Sequence, residues 1–124
     1  NLALNTNYDF VFFGSCIQYF DNYEHILENI PRISNNIFFS GTTLFESNLE
    51  NYNKHIIAKQ TNCFPDINYC YFFNKKFFYS FFFKKKFNLL FENKNLTDNI
   101  NYNNFKNISY KVEYLDFYFV KKKN

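Results

Sequence analysis

Short apolar runs closed by turn residues alternate along this chain with stretches at helical spacing, which restricts it to folds that layer helices on a sheet. Tyr8-Asp9-Phe10-Val11-Phe12-Phe13 ends at Gly14-Ser15 and reads as a buried strand followed by a turn. Ile17, Phe20, Tyr23, Leu27 and Ile30 then fall near helical spacing within Cys16–Ile30, and Pro31 stops the pattern. Residues 33–39 form a second extended candidate, ending at Ser40-Gly41. Thr43 with Glu46 three residues on has the form of a capping box, opening a helix that carries Leu44, Phe45, Leu49 and Tyr52. Lys54–Lys59 and Ile67–Phe73 read as further strands on either side of a polar loop. Lys75–Phe91 reads as a long basic helix. Beyond it, Ile108, Tyr110, Val112 and Tyr114 alternate with Ser109, Lys111 and Glu113, the period of a half-exposed strand.

Strands alternating with helices predict an α/β fold in three layers, a mostly parallel sheet with helices on both faces. The strand after residue 107 is an added C-terminal extension in this reading. The expected organisation is one domain over 1–91, an Asn-rich linker over 92–107, and a strand with a basic tail over 108–124. A chain of 124 residues with 47% hydrophobic content suits one core. Its 20 Phe and 11 Tyr, beside no Met and no Trp, match the codons of a strongly AT-biased gene. An organellar gene is the expected source, which weakens any functional meaning of a single surface Phe or Asn. The first residue is Asn, consistent with a processed end or a fragment, and Asn1–Asn7 lacks a basic leader.

Several function classes drop out. Phe77–Phe83, the longest apolar run, is far shorter than the roughly 20 residues of a membrane span. Cys16, Cys63 and Cys70 form no Cys-x-x-Cys pair, so no metal site is expected, and the thiols read as buried and reduced. With 2 glycines the chain cannot build a Gly-rich phosphate loop, and the lone Gly14-Ser15 lacks the second glycine of a nucleophile elbow. Glu24-His25-Ile26-Leu27-Glu28 reads as a surface helix pair, and His55 has no Ser, Cys or Asp partner at a recognisable spacing. Neither a catalytic residue nor a cofactor is expected.

Charge is unevenly spread. Residues 1–53 hold six acids against Arg32 alone, a net −5, while residues 54–124 hold 13 Lys against five acids, a net +8. Lysines interleaved with aromatics, Lys75-Lys76-Phe77-Phe78-Tyr79 and Phe83-Lys84-Lys85-Lys86-Phe87, are the pattern of a surface facing a nucleic-acid backbone.

The stretch His55-Ile56-Ile57-Ala58-Lys59-Gln60-Thr61-Asn62-Cys63-Phe64-Pro65-Asp66-Ile67-Asn68-Tyr69-Cys70-Tyr71-Phe72-Phe73-Asn74 resembles the hallmark of small-subunit ribosomal protein two, in its bacterial and organellar form. Thr61, Asn62, Cys63, Pro65, Asp66 and Tyr69 match that pattern in order, and Asn74 sits where it places a helix-capping Asn. Phe12-Phe13-Gly14-Ser15 and Asn35–Leu44 are weaker echoes of its strand-end and Gly-Thr-Leu segments. The family's long helical projection is missing, Gln60 replaces an Asp, and Lys75-Lys76 replaces an acidic pair.

The resemblance implies a non-enzymatic constituent of the small ribosomal subunit, bound to small-subunit ribosomal RNA and neighbouring ribosomal proteins. It implies no small-molecule substrate and no membrane span. The RNA contacts it implies are Arg32, Asn62, Lys75, Lys76, Lys84, Lys85 and Lys86, with Lys121, Lys122 and Lys123 as a basic arm. The expected location is the mitochondrion, with a plastid-type organelle as the alternative. A divergent accessory subunit of a respiratory-chain membrane complex is the alternative function.

Overall fold

A computed structural model describes residues 5–47, 54–61, 65–95 and 112–123. The chain orders as β1 (Val11–Gly14), a 3-10 turn (Ile17–Tyr19), α1 (Tyr23–Ile33), β2 (Asn36–Phe45), β3 (His55–Gln60) and β4 (Asn68–Asn74). It continues with α2 (Lys75–Phe83), β5 (Phe87–Lys94) and β6 (Val112–Lys121). The described strands form one six-stranded sheet in the order β3-β4-β2-β6-β5, and β1 shares with β4 the edge of β2 that β6 leaves free.

The α/β class expected from the sequence holds, but the sheet is mixed rather than mostly parallel. β1 and β4 run parallel to β2, whereas β2–β6, β3–β4 and β5–β6 pair antiparallel. Among the described residues, helices do not lie on both faces either. Tyr23, Leu27 and Ile30 of α1 and Phe78, Tyr79 and Phe82 of α2 share one core with Ile37, Phe39, Phe117 and Phe119 of the sheet. Both helices therefore cover the same face. Successive strand residues point to opposite faces, so Phe38 and Tyr118, between those core positions, turn to the other side.

The strand expected as a C-terminal extension lies inside the sheet. β6 is bonded to β2 along one edge and to β5 along the other. Its Phe117 and Phe119 are fully buried, and Phe119 stacks on Phe82 of α2 at 4.4 Å. Burial of one such ring stabilises the fold by about 1.5–3 kcal/mol, so β6 is as much a part of the core as any earlier strand. Ile108 and Tyr110 and most of the Asn-rich stretch fall outside the described residues.

Two predicted helices resolve differently. The capping-box segment at Thr43 is strand: β2 runs through Gly41, Thr42 and Thr43 to Phe45. Gly41 takes φ +59, and the register to β6 shifts between Phe39 and Thr42. The strand thus bulges rather than stops. The Thr43 hydroxyl, predicted as a helix cap, donates to the Tyr71 carbonyl at 2.7 Å instead. The second long helix ends at Phe83. Lys84-Lys85-Lys86 makes a turn with Lys86 at φ 62, and Phe87 begins β5.

The helix expected over Cys16–Ile30 begins only at Tyr23, after a short 3-10 turn, and runs through Pro31, in its last turn, to Ile33. The two strands flanking the polar loop pair as an antiparallel hairpin, β3–β4, from His55↔Phe73 to Gln60↔Asn68. Asn74 caps α2, its side-chain oxygen accepting from the Phe77 N–H at 3.4 Å.

Candidate ligand-binding site

Open α/β sheets hold ligands outside the carboxyl ends of their parallel strands. Here β1 ends at Gly14, halfway along β2, and leaves a step over which the β3–β4 hairpin leans. The floor of that step is built from two unusual backbones. Ser15 sits at φ 49 and Gly41 at φ +59, and a Cβ on Gly41 would run into the Ser15 hydroxyl. A non-glycine residue in the left-handed region stores strain that its surroundings must hold in place.

Those surroundings are polar and specific. Gln18, only 2% exposed, donates its amide to the Gly41 carbonyl at 3.3 Å. The Gly41 N–H donates to Asp116 Oδ1 at 2.7 Å. Among the described residues, the buried side-chain atoms left without a partner are Gln18 Oε1 and Thr42 Oγ1, both beside Gly41 in sequence or space. Unpaired buried acceptors are costly and uncommon. Strain and unmet hydrogen bonds coincide at this one step.

A second row of polar groups runs from residue 19 to 24 along the hairpin. Tyr19 donates its hydroxyl to Gln60 Oε1 at 3.0 Å, and Tyr71 donates to Asp21 Oδ1 at 3.4 Å. The Tyr23 hydroxyl lies 2.6 Å from His55 Nδ1 and 3.2 Å from Glu24 Oε1, and Lys54 pairs with Glu24 at 3.2 Å. Burial pushes the Tyr23 hydroxyl far above the usual phenol range, and neighbouring Glu24 adds to the shift. Tyr23 therefore keeps its single proton. Burial lowers the His55 pKa, more than the Glu24 charge raises it, and Lys54 lowers it further. A neutral imidazole wedged edge-on between Tyr23 and Tyr71 results, at 5.5 and 4.6 Å between ring centres. When Tyr23 donates to Glu24, His55 Nδ1–H donates to Tyr23 and Nε2 keeps a lone pair able to accept a proton. Cys16, next to Ser15, has its thiol pKa raised by burial, so it is not a poised thiolate.

A cavity of about 540 Å³ opens at the carboxyl ends of β2 and β4, against α2. Tyr79 and Phe83 form its apolar wall, and Lys75, Lys76 and Lys84 stand around it. Lys75 is bound to Glu46 at 3.1 Å and Glu92 at 2.6 Å, while Tyr79 donates to Glu92 Oε2 at 2.8 Å. Burial works against the Lys75 charge, but its hydrogen bonds to Glu92 and Glu46 outweigh it and raise the pKa.

Of the basic residues expected to contact RNA, Lys75, Lys76 and Lys84 line the cavity beside α2, where Lys75 is paired with two carboxylates. Lys85 and Lys86 form the turn after it, where the Lys122 N–H donates to the Lys86 carbonyl at 2.9 Å. Lys121 leans over the Phe87 ring at 5.9 Å and reaches the Pro31 carbonyl at 3.5 Å. Arg32 lines a separate polar hollow of about 380 Å³ with Asn7, Asp9 and Asn36. Lys123 is exposed at the end of the described chain, and Asn62 lies outside the described residues. Sequence reasoning passed over Ser15, Gln18, Tyr23 and Tyr71. Its one usable signal was Gly14-Ser15 closing an apolar run, because His55 finds its partner 32 positions away in Tyr23.

No family model matches the chain, and no curated protein is significantly similar to it. Two solved structures share its fold. One is the N-terminal domain of EvdMO1 with SAH bound, at TM-score 0.53 and 13% identity, covering 100% of this chain and 50% of that one. The other is the same domain in the presence of SAH and D-fucose, at TM-score 0.54 and 13% identity, covering 100% and 51%. The likeness is one of fold. This chain spans about half the length of the chains it resembles.

These neighbours overturn the expected non-enzymatic ribosomal role and, with it, the respiratory-complex alternative. The fold shared over the whole chain is that of a domain crystallised with a small molecule. Within the block at residues 55–74, β3 and β4 pair as a hairpin and Asn74 caps α2, while residues 62–64 lie outside the described residues. No helix among the described residues is long and apolar enough to cross a bilayer.

Proposed function

We propose that this chain is part of a methyl-transfer enzyme that takes S-adenosylmethionine and releases S-adenosylhomocysteine (SAH). The observation that carries the reading is the likeness of fold, over the full chain, to a domain solved with SAH bound. It is supported by the coincidence of strain and unpaired acceptors at the carboxyl end of β1, where such sheets place their ligands.

Polar groups without partners cluster at this step. Gly41 makes room for the Ser15 hydroxyl, and Gln18 and Thr42 hold buried acceptors without a partner at the same step. No cluster of metal-ligating side chains occurs among the described residues. The cofactor supplies an electrophilic methyl group on a sulfonium. The protein's own part is to hold the acceptor in line and remove its proton. His55 is the group equipped for the proton, with Tyr23 and Glu24 fixing its tautomer. Asp21 and Tyr71 line the same row and orient a hydroxyl or amine acceptor.

Equilibrium dialysis of the protein in its native assembly against labelled S-adenosylmethionine tests the reading. Saturable binding that SAH competes away supports it, and a weaker association in Ser15→Tyr, which fills the step, places it. Failure to bind either compound rejects it.

A further inference from the structure

The cavity against α2 carries charge that its surroundings only partly answer. At about 540 Å³ it falls within the size of small-molecule sites, roughly 300–1,000 Å³. Lys76, Ser80, Phe83 and Lys84 line it at positions i, i+4, i+7 and i+8, a single face of the helix. Lys75, Lys76 and Lys84 stand against two carboxylates, Glu46 and Glu92, and both carboxylates are bound to Lys75. Neither Lys76 nor Lys84 makes an ion pair among the described residues. Lys76 also sits in the first turn of α2, where the helix dipole disfavours a cation.

The rest of the lining supplies a donor and an apolar wall. Asn74 accepts the Phe77 N–H through its side-chain oxygen, and its amide N–H groups have no partner among the described residues. Phe83 is 51% exposed and meets the Tyr79 ring edge-on at 6.1 Å. Tyr79 is fixed in turn by its hydrogen bond to Glu92. The Glu46 side chain is 73% exposed, so its hold on Lys75 is the one a competing anion can displace.

We propose that this cavity binds a small organic anion, a carboxylate or phosphate head on an aromatic body. Lys76 and the Asn74 amide take the head, and the body lies along Tyr79 and Phe83. Lys84, at the far end of the same face, reaches back on its flexible stem to the ring or the head. Phe83 lies about 10 Å along the helix from Lys76, which favours a fused or substituted ring over a bare anion. The site shares no residue with the step at Ser15 and Gly41, so it does not rest on the methyl-transfer reading.

Saturation-transfer NMR on the protein in its native assembly reads weak ligands directly. The probes are 2-naphthyl phosphate and 2-naphthoate, with 2-naphthol as the neutral control and inorganic phosphate as a competitor. Saturable binding of at least one anion, with a Kd of about 1 mM or tighter, is expected, and the tighter of the two names the head group. Lys76→Gln should weaken it roughly tenfold and Lys84→Gln roughly threefold. Lys123→Gln, outside the cavity, should leave it unchanged. All three side chains are exposed, so the substitutions spare the fold. No saturable transfer to either anion would overturn the proposal. Naphthol binding as tightly as the anions would do the same, since the lysines would then be idle. Inorganic phosphate binding as tightly as naphthyl phosphate would remove the apolar wall from the account, and equal losses in all three variants would reduce it to diffuse surface charge; either result rejects the site. Because SAH enters no arm, failure of the methyl-transfer reading leaves the result standing.

Discussion

Replacing Gly41 with Ala tests the strained step at its weakest point. Two penalties apply. An L-residue held at φ +59 costs about 1–2 kcal/mol relative to its preferred regions. The new methyl also strikes the Ser15 hydroxyl, with the Ser15 Cβ at 3.3 Å behind it. Rotating that hydroxyl away relieves the first contact, but Ser15 is itself at φ 49 and packed against the bulge. A further contribution of about 1 kcal/mol fits an off-rotamer side chain in a fixed frame. The expected loss is about 2–3 kcal/mol in urea denaturation, read as a lower midpoint with unchanged slope. In a Ser15→Gly background the steric part vanishes, so the same Gly41→Ala change costs only about 1–2 kcal/mol. A loss below about 0.5 kcal/mol in both backgrounds would refute the strain, as would equal losses in the two backgrounds for the contact between the turns.

Phe39→Ala removes a ring packed against Phe13, Phe78, Phe82 and Phe117, and should cost about 3–5 kcal/mol by the same assay. Leu90→Ala, at a side chain 68% exposed, should fall within about 0.5 kcal/mol of wild type. Because burial lowers the folded-state pKa of His55, the unfolded chain binds its proton first as pH falls. The stability this gives is complete above the unfolded value near 6.5 and is lost as pH drops from there through the folded pKa. The slope of stability against pH in that window should shrink in His55→Gln, and an unchanged slope would count against a buried neutral imidazole. Lys75→Met leaves Glu92 and Glu46 without their shared cation. Because the pair is partly solvated, a loss of about 1 kcal/mol is expected, diminishing in high salt. A salt-independent loss would point to packing instead.

The sequence made local features legible where local physics decided them. Gly14-Ser15 closed β1, with Ser15 turning the chain at φ 49. The spacing of Tyr23, Leu27 and Ile30 found the buried stripe of α1. Asn74 capped α2 as expected. Errors arose where distant pairing overrode local preference. Thr43 and Glu46 form a sound capping box, yet Thr42 and Thr43 pair with Leu115 and Tyr114 more than 70 positions on, and the ladder wins. The run from Phe77 to Phe91 is too uniformly aromatic to show a period. Its break at Lys86 therefore depends on a left-handed turn that favours no residue present.

The same logic explains the missed site. His55, Tyr23 and Tyr71 each look ordinary in sequence. They become a site only when the hairpin folds over the end of β1. The lysines cluster along the chain, and the fold sets the Lys86 turn beside Lys122 at the end of β6, but which lysines are already paired is decided by residues distant in sequence. Lys75 shows the difference most clearly: its partners Glu46 and Glu92 lie 29 and 17 positions away.

Methyl transfer is decided most directly by titrating the native assembly with SAH in a calorimeter. A saturable isotherm with a Kd tighter than about 1 mM, equivalent to about −4.1 kcal/mol, and weakened in Ser15→Tyr, is expected. Absence of heat at saturating SAH, in protein whose core is shown to be folded, would contradict it.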